Sequence, residues 1–399
     1  MNGRIVVIGA GPTGLIAAHA AARGGHDVTV FEEHGVVGKP DHCAGLVSLT
    51  GLASLGLRPP SEVIDNKIVG ARIHSPSGSS FMIERGRNEA VVLCRQAFDC
   101  WLATRAITAG AGVEVSSPIR GLIVKRGAVS GVYVGKDRLE REAGLVIDAE
   151  GFRGRLIHDV GMPTVKNQAK LPAYQYEVRS VDIEENIVEL FYGRRIAPGF
   201  FAWIIPRGDG RARVGLAARN MTRARLDAAI RHHPVMRERL KGMTIERGLG
   251  GVVISGMPVK RTHMDGLLVV GDAAGMVKAT TGGGIVMGGT AALLAGRTAS
   301  EAMSADCVSS RDLVRYEDRW RGAIMSDLRS MYVAQKLLSS LSDKGLDALV
   351  SGISEHGLME IVKREGDMDR QRRVIVGLMK KPKMLLTGVS VTRYLLPLG

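Results

Sequence analysis

Two glycine-rich segments, far apart in the chain, carry the residues best suited to holding a phosphorylated cofactor. The first, Gly9-Ala10-Gly11-Pro12-Thr13-Gly14, follows the apolar run Ile5-Val6-Val7-Ile8 and precedes the alanine-rich stretch Leu15 to Arg23. In that order Gly9 permits a tight turn, Gly11 lets the backbone approach a pyrophosphate, and Gly14 allows close helix–strand packing. The amide groups at the helix start then hold the anion. A second apolar run, Asp27-Val28-Thr29-Val30-Phe31, ends at Glu32, eighteen residues after the last of these glycines. A carboxylate there accepts hydrogen bonds from an adenosine ribose and disfavours a 2′-phosphate, so this half suits FAD or NAD rather than NADP. Glu33 is expected on the other face of the strand end.

The second segment starts from the apolar run Gly266-Leu267-Leu268-Val269-Val270. Gly271-Asp272-Ala273-Ala274-Gly275 follows, then Thr280-Thr281-Gly282-Gly283-Gly284-Ile285 and a small-residue helix to Gly296. An aspartate after a strand can bond a polyol, and a triple glycine opening a helix offers N–H donors to the electron-rich end of a ring. A nicotinamide cofactor has no use for a second contact so far downstream. A flavin has, because its ribityl chain and isoalloxazine extend away from the first site.

Composition limits what surrounds these motifs. The chain has 399 residues and a mass of 42.7 kDa, room for two or three domains of roughly 150 residues each. A hydrophobic fraction of 45% and a charged fraction of 24% exclude disorder and collagen-like structure. The 54 Lys and Arg exceed the 40 Asp and Glu, for a net charge of +14 that favours anionic partners. Aromatics at 4% are too sparse for base stacking, so no nucleic-acid partner is expected. The cysteines Cys43, Cys94, Cys100 and Cys307 form no C-x-x-C pair, which argues against both a disulfide scaffold and a metal site. Arg4 leads straight into the first strand and no long uncharged apolar stretch occurs. The protein is therefore expected in the cytoplasm, with any membrane contact peripheral, on the inner face of the cell membrane.

The elements that position the motifs follow from periodicity. Strand-like stretches at Ile68 to Val92 and Leu171 to Ala218 interrupt the dinucleotide pattern and are expected to form an antiparallel sheet roofing the flavin. Phe200, Phe201 and Trp203 cluster there and suit an apolar substrate wall. Arg311 to Leu341 reads as amphipathic helix. The tail mixes Arg370, Arg372, Arg373, Lys380, Lys381 and Lys383 with Leu385, Leu386, Tyr394, Leu395 and Leu396. It fits either docking on an anionic membrane or a solvated basic face beside a packed helix.

Taken with Arg95 after a strand and Ala149-Glu150-Gly151, the two glycine motifs resemble the FAD-dependent group that includes aromatic hydroxylases. Finer features resemble one branch, the geranylgeranyl reductase family: Asp41-His42-Cys43-Ala44-Gly45, Thr281-Gly282-Gly283-Gly284-Ile285, and Pro198, Trp203 and Pro206 of a P-x-x-Y-x-W-x-F-P pattern. Here Phe201 replaces the Tyr and Ile205 the Phe, and Glu150 stands where an Asp is usual. The resemblance spans roughly residues 1 to 300. It implies an α/β Rossmann-like FAD-binding fold over 1–67, 93–165 and 245–300, an inserted antiparallel-sheet substrate domain over 68–92 and 166–244, and a helical C-terminal region over 301–399.

It also implies residue roles. Thr13 and Glu32 meet the diphosphate and ribose of FAD, helped by Gly9, Gly11, Pro12 and Gly14. Arg95 reaches the phosphate–ribityl region, Ile119 the adenine, Gly271 and Asp272 the ribityl or phosphate, and Gly283, Gly284 and Ile285 the isoalloxazine edge. Cys43 and Ala44 lie along the flavin's reactive face, with Cys43 and His42 the candidate catalytic residues. Read on their own, Cys43 is equally a small buried apolar residue and His42 a solvated loop residue. Phe200, Phe201, Trp203 and Pro206 line the substrate. The implied activity is reduction of C=C bonds in geranylgeranyl chains, foremost those of digeranylgeranylglycerophospholipid, an archaeal ether-lipid precursor; a prenyl diphosphate is the other substrate class. Electrons come from NADPH or ferredoxin. The alternatives are a flavin monooxygenase or halogenase of an aromatic substrate, since Trp203-Ile204-Ile205-Pro206 is similar to a halogenase W-x-I-P element, and a basic flavoprotein that binds RNA or a membrane.

Overall fold

The computed structural model describes residues 3–355 and 366–379. Strands Ile5–Ile8, Val28–Phe31, Ala111–Glu114, Leu145–Asp148 and Leu267–Val269 run parallel in one sheet, and His263–Met264 joins its edge antiparallel. In space the order is 263–264, 267–269, 145–148, 5–8, 28–31, 111–114. Most of these strands are buried along their length, as a parallel sheet between helices requires.

Helix Pro12–Ala22 starts with proline at a position where no N–H is needed. Its alanines let the helix Ile285–Ser304 lie directly against it. A Cβ on Gly296 would sit 2.3 Å from the Ala17 carbonyl oxygen and 2.7 Å from the Ala20 Cβ. These two helices bring the two glycine-rich segments to one place.

A second sheet has seven strands in the order 244–254, 170–179, 211–217, 201–208, 187–192, 70–74, 80–84. All pairs are antiparallel except Ile187–Tyr192 with Gly70–His74. Strand alternation separates its faces. Ala202, Ile204, Val214 and Leu216 pack under the helices Thr222–His232 and Pro234–Arg239. Phe201, Trp203 and Ile205 look the other way, toward the parallel-sheet half.

Some boundaries expected from the sequence move. Residues 245–254 belong to the seven-stranded sheet, because Thr244–Ile254 pairs along Lys170–Arg179. The glycines of Arg247-Gly248-Leu249-Gly250-Gly251 had hidden this strand, since glycine weakens any strand signal. Gly248 is needed there, as a Cβ would lie 2.2 Å from the Tyr174 hydroxyl oxygen. Within 68–92, Ala90–Leu93 leaves the large sheet to pair with Leu46–Ser48 and Ile64–Ile68. An antiparallel trio, Ile119–Lys125, Ala128–Val134 and Leu139–Glu142, was not anticipated; its last strand is exposed throughout and carries no burial pattern.

The helical stretch after 300 is borne out by Ser310–Trp320, a π turn Arg321–Met325, Ser326–Ser340 and Asp343–Glu355. Among the described residues no helix is long and apolar enough to cross a membrane. Arg370, Arg372 and Arg373 are exposed. The remaining basic and apolar tail residues, Lys380 to Leu396, lie outside the described residues.

The packing of the two helices yields a direct test. Gly296→Ala should lower stability by about 1–3 kcal/mol, because overpacking outweighs the gain in helix propensity. Urea unfolding of the two proteins side by side checks it.

Candidate active site

A cavity of about 690 Å³ lies between the parallel-sheet half and the aromatic face of the seven-stranded sheet. Both glycine-rich segments open into it, and so do the loop at Cys43, Arg95 and the stretch 366–375.

At one end the chain is built for a diphosphate. No side chain caps the helix Pro12–Ala22 and no acid stands in its first turn, so its positive end is available. A Cβ on Gly11 would meet nothing within 4 Å, whereas one on Gly14 would fall 1.9 Å from the Gly9 carbonyl oxygen. Gly11 faces open space and Gly14 a crowded contact, as the motif requires. Glu32 is buried at the foot of this loop. Its Oε2 accepts from the Ala10 amide at 2.8 Å and its Oε1 from the His34 amide at 2.9 Å. Glu33 is exposed. The Ser117 amide donates to the Glu32 carbonyl at 2.7 Å, which sets Ile119 beside the same end. Glu32 and Ile119 lie beyond the cavity lining proper. Glu150, the departure from the usual Asp, accepts from the Arg155 and Leu156 amides at 3.0 and 2.9 Å and so caps a short helix.

The middle of the cavity is charged. Arg95 pairs with Asp99 at 2.9 Å. Burial works against its charge, but Asp99 and the Cys43 thiol outweigh it and hold the guanidinium above its ordinary range. Burial pushes the Asp272 carboxyl up, against the pull of Arg95. Gly283 and Gly284 have no room for side chains, since Cβ atoms would fall 2.7 Å from the Lys278 Cε and 2.8 Å from the Asp272 Oδ1. Thr281 Oγ1 and Trp203 Nε1 are buried without partners among the described residues, and both residues line the cavity. An uncapped helix start, open space at Gly11 and an orphaned hydroxyl beside the triple glycine fit a flavin dinucleotide.

The wall opposite is aromatic. Phe200 and Phe201 stack at 4.2 Å, and Trp203 meets Phe201 edge-on at 6.1 Å. Pro206 is the exception among the expected substrate residues. It does not line the cavity, because strand alternation turns it to the opposite face while Ile205 faces in. The Pro206 carbonyl instead accepts from Asn66 Nδ2 at 3.2 Å. His42, Cys43 and Ala44 do reach the lining, and Cys43 Sγ accepts from the Gly45 amide at 3.4 Å.

Two features escaped the sequence. Lys278 reads there as an interruption of an apolar run, yet it is 5% exposed and pairs with Asp369 at 2.6 Å. Ser48 Oγ donates to the other Asp369 oxygen, and Thr280 Oγ1 donates to Gln371 Oε1 at 2.7 Å. The tail stretch 366–375 is thus fastened to the cavity wall. The second is a knot of arginines 207, 213 and 247 around Glu177. Burial raises the Glu177 carboxyl, but Arg247, Arg213 and Arg207 prevail and hold it at about 2.

A Rossmann-like half with a phosphate-binding glycine loop, facing an antiparallel sheet across an apolar cavity, defines a flavin-dependent oxidoreductase fold. Solved structures share that architecture. The flavin-dependent brominase Bmp2 superposes with a TM-score of 0.71 at 15% identity, covering 98% of each chain. A geranylgeranyl bacteriochlorophyll reductase-like protein from Thermoplasma acidophilum superposes with a TM-score of 0.86 at 28% identity, over 98% of this chain and 99% of that one. Residues 7–39 match an NAD(P)-binding Rossmann-like domain and residues 170–252 the geranylgeranyl reductase catalytic domain. Two relatives called digeranylgeranylglycerophospholipid reductase 2 align nearly end to end. The Methanopyrus kandleri protein is 36% identical over 96% of this chain and 97% of its own. The Methanothermobacter thermautotrophicus protein is 38% identical over 93% and 99%. The chain belongs to the geranylgeranyl reductase family and is an FAD-dependent oxidoreductase.

Two outcomes follow from the buried charges. Lys278→Met or Asp369→Leu alone should cost about 3 kcal/mol or more, because each strands a buried charge, while the double variant recovers much of the loss. Equilibrium unfolding of all four proteins measures this. Glu177, with its folded value depressed, contributes stability that is full above the ordinary Glu range near 4.3 and is lost as pH falls toward about 2. Glu177→Gln should therefore flatten the acid limb of a stability–pH curve.

Proposed function

We propose that the chain saturates isolated C=C bonds of geranylgeranyl groups, with digeranylgeranylglycerophospholipid as the substrate, and that it does so with FAD. The observation that carries this reading is one cavity in which the glycine-rich stretch 281–285 faces an apolar wall of Phe200, Phe201 and Trp203. The names of the two aligned archaeal relatives support the substrate class.

Reduced FAD, when bound, supplies a hydride. The chain supplies the rest. Backbone at Gly11, Thr13 and Gly14 holds the diphosphate, Glu32 the ribose, Ile119 the adenine end, Arg95 and Asp272 the phosphate–ribityl region, and Gly284 and Ile285 the ring edge. An unactivated alkene develops no oxyanion, so orientation and exclusion of water do the work. The stacked aromatic wall provides both. His42 and Cys43, in the cavity lining, would deliver a proton to the second carbon. Electrons arrive from NADPH or ferredoxin, and the net charge of +14 suits a phosphate headgroup and peripheral contact with an anionic membrane. The halogenase alternative needs a free lysine in the cavity. Lys278 is engaged by Asp369 and by the Met368 carbonyl at 3.2 Å.

An anaerobic half-reaction tests the proposal. The FAD-loaded protein is reduced with dithionite and mixed with geranylgeranylated phospholipid, and flavin reoxidation is followed alongside product mass. Reoxidation with a gain of two hydrogens per double bond is expected. Flavin that stays reduced until air enters would overturn it in favour of oxygen chemistry.

A further inference from the structure

The loop that carries His42 and Cys43 belongs to the FAD-binding half, yet it is held from the opposite sheet. Residues 40–44 join no helix or strand. Two side chains on neighbouring strands, Arg213 and Gln175, bond them, while Arg247 lies 4.0 Å from Asp41 and Arg95 of the loop's own half reaches the Cys43 thiol. Arg213 Nη2 donates to Asp41 Oδ2 at 2.5 Å and Arg213 Nη1 to the Cys43 carbonyl at 2.5 Å. Between them, Gln175 Nε2 donates to the His42 carbonyl at 3.3 Å. Glu177 anchors the arginine from behind, accepting from its Nε at 3.0 Å. Arg213 is 0% exposed. Gly45 completes the fit: its φ is +82°, and a Cβ there would meet the Leu93 carbonyl oxygen at 2.6 Å and Arg213 Nη1 at 3.2 Å.

Charge neutralisation accounts for the number of arginines here but not for the bonds to the neutral carbonyls of His42 and Cys43. Glu177 already has Arg207 and Arg247 within 3.0 and 2.5 Å. Arg207 is shared with Asp65 at 2.7 Å and Arg213 with Asp41 at 2.5 Å, so three arginines face three carboxylates. The fork points at the loop. A guanidinium presents five donors in a fixed planar fork, so it serves Glu177, Asp41 and a backbone carbonyl in set directions, whereas the three donors of an ammonium turn about a single atom.

We infer that Arg213 is a positioning residue that sets the Asp41–Cys43 loop, and with it the proton-delivering groups, against the reacting end of the cavity. This rests on the reductase reading in taking the loop as the reacting end; the clamp itself does not.

The test uses the FAD-loaded full chain in a background with Cys94, Cys100 and Cys307 changed to Ser, so that Cys43 is the one remaining thiol. Arg213→Lys keeps the charge and loses the fork. Arg207→Gln removes a different partner of Glu177 and leaves every loop tether in place. Iodoacetamide alkylation of Cys43 should accelerate about tenfold or more in Arg213→Lys and stay near the parent rate in Arg207→Gln. With prenyl lipid, kcat of Arg213→Lys should fall about 10–100-fold with KM within about threefold, the pattern of a misplaced reacting group rather than lost binding. Should Arg213→Lys fail to fold, Gln175→Leu removes the His42 tether alone and should raise the alkylation rate by a smaller factor. Parent-like alkylation in the clamp variants, or equal effects of Arg207→Gln and Arg213→Lys, would overturn the inference. A parent protein that reduces no prenyl lipid would sink the reductase reading, and the alkylation arm would still decide the clamp.

Discussion

Everything in this molecule depends on a contact with almost no side chain in it. Thr13, one residue into the first helix, touches Gly271 and Gly288, so Cβ atoms on those glycines would fall 2.9 and 3.1 Å from its side chain. At this junction the beginning of the chain meets a segment from its last third. A phosphate-binding loop is useful to a flavin only if the ribityl and ring contacts sit a fixed distance away. That distance is set by how closely three pieces of backbone can approach. Alanine and glycine are therefore the structural residues here, and bulk would separate the two halves of the site.

The second constraint is the alternation of one strand. Phe201–Gly208 sends Phe201, Trp203 and Ile205 into the cavity and Ala202 and Ile204 into the helix-covered core. The six residues buried on both faces, Phe201 to Pro206, are apolar without a break, so the sequence shows no alternation to read there. The cavity it walls is apolar on the sheet side and polar or charged on the glycine-loop side. A hydrocarbon chain and a charged cofactor can share such a space without either being desolvated against the wrong partner.

These facts explain what was legible in the sequence. Gly9 to Gly14, Glu32, Asp272 and Gly282 to Gly284 are local patterns whose spacing encodes the backbone geometry, and the cofactor half can be read from them by eye. Phe200, Phe201 and Trp203 stood out because aromatics are scarce. Pro206 misled because a motif lists neighbours in sequence, whereas a strand sorts them onto two faces. Lys278 with Asp369, and Arg213 with Asp41, were invisible for another reason. Each pair joins residues roughly a hundred positions apart or more. A lone lysine or arginine is by default a surface residue, and only its partner makes it a buried one. The strand Thr244–Ile254 was hidden by its glycines, of which Gly248 makes room for Tyr174.

The buried charges also show why this site is held by ionic contacts at all. An apolar patch in place of Arg213, Glu177 and Asp41 could pack as tightly and could well be more stable, since burying ions costs free energy that pairing only partly returns. Apolar contacts, however, are indifferent to sliding by an ångström or to a rotated loop. A guanidinium bonded to a carboxylate on its own sheet, a carboxylate on the loop and one loop carbonyl tolerates neither. The loop it holds borders a cavity whose opposite wall, Phe200, Phe201 and Trp203, is apolar and offers few polar handles for alignment. With little on that wall to fix the loop, directional bonds from a rigid sheet supply the precision.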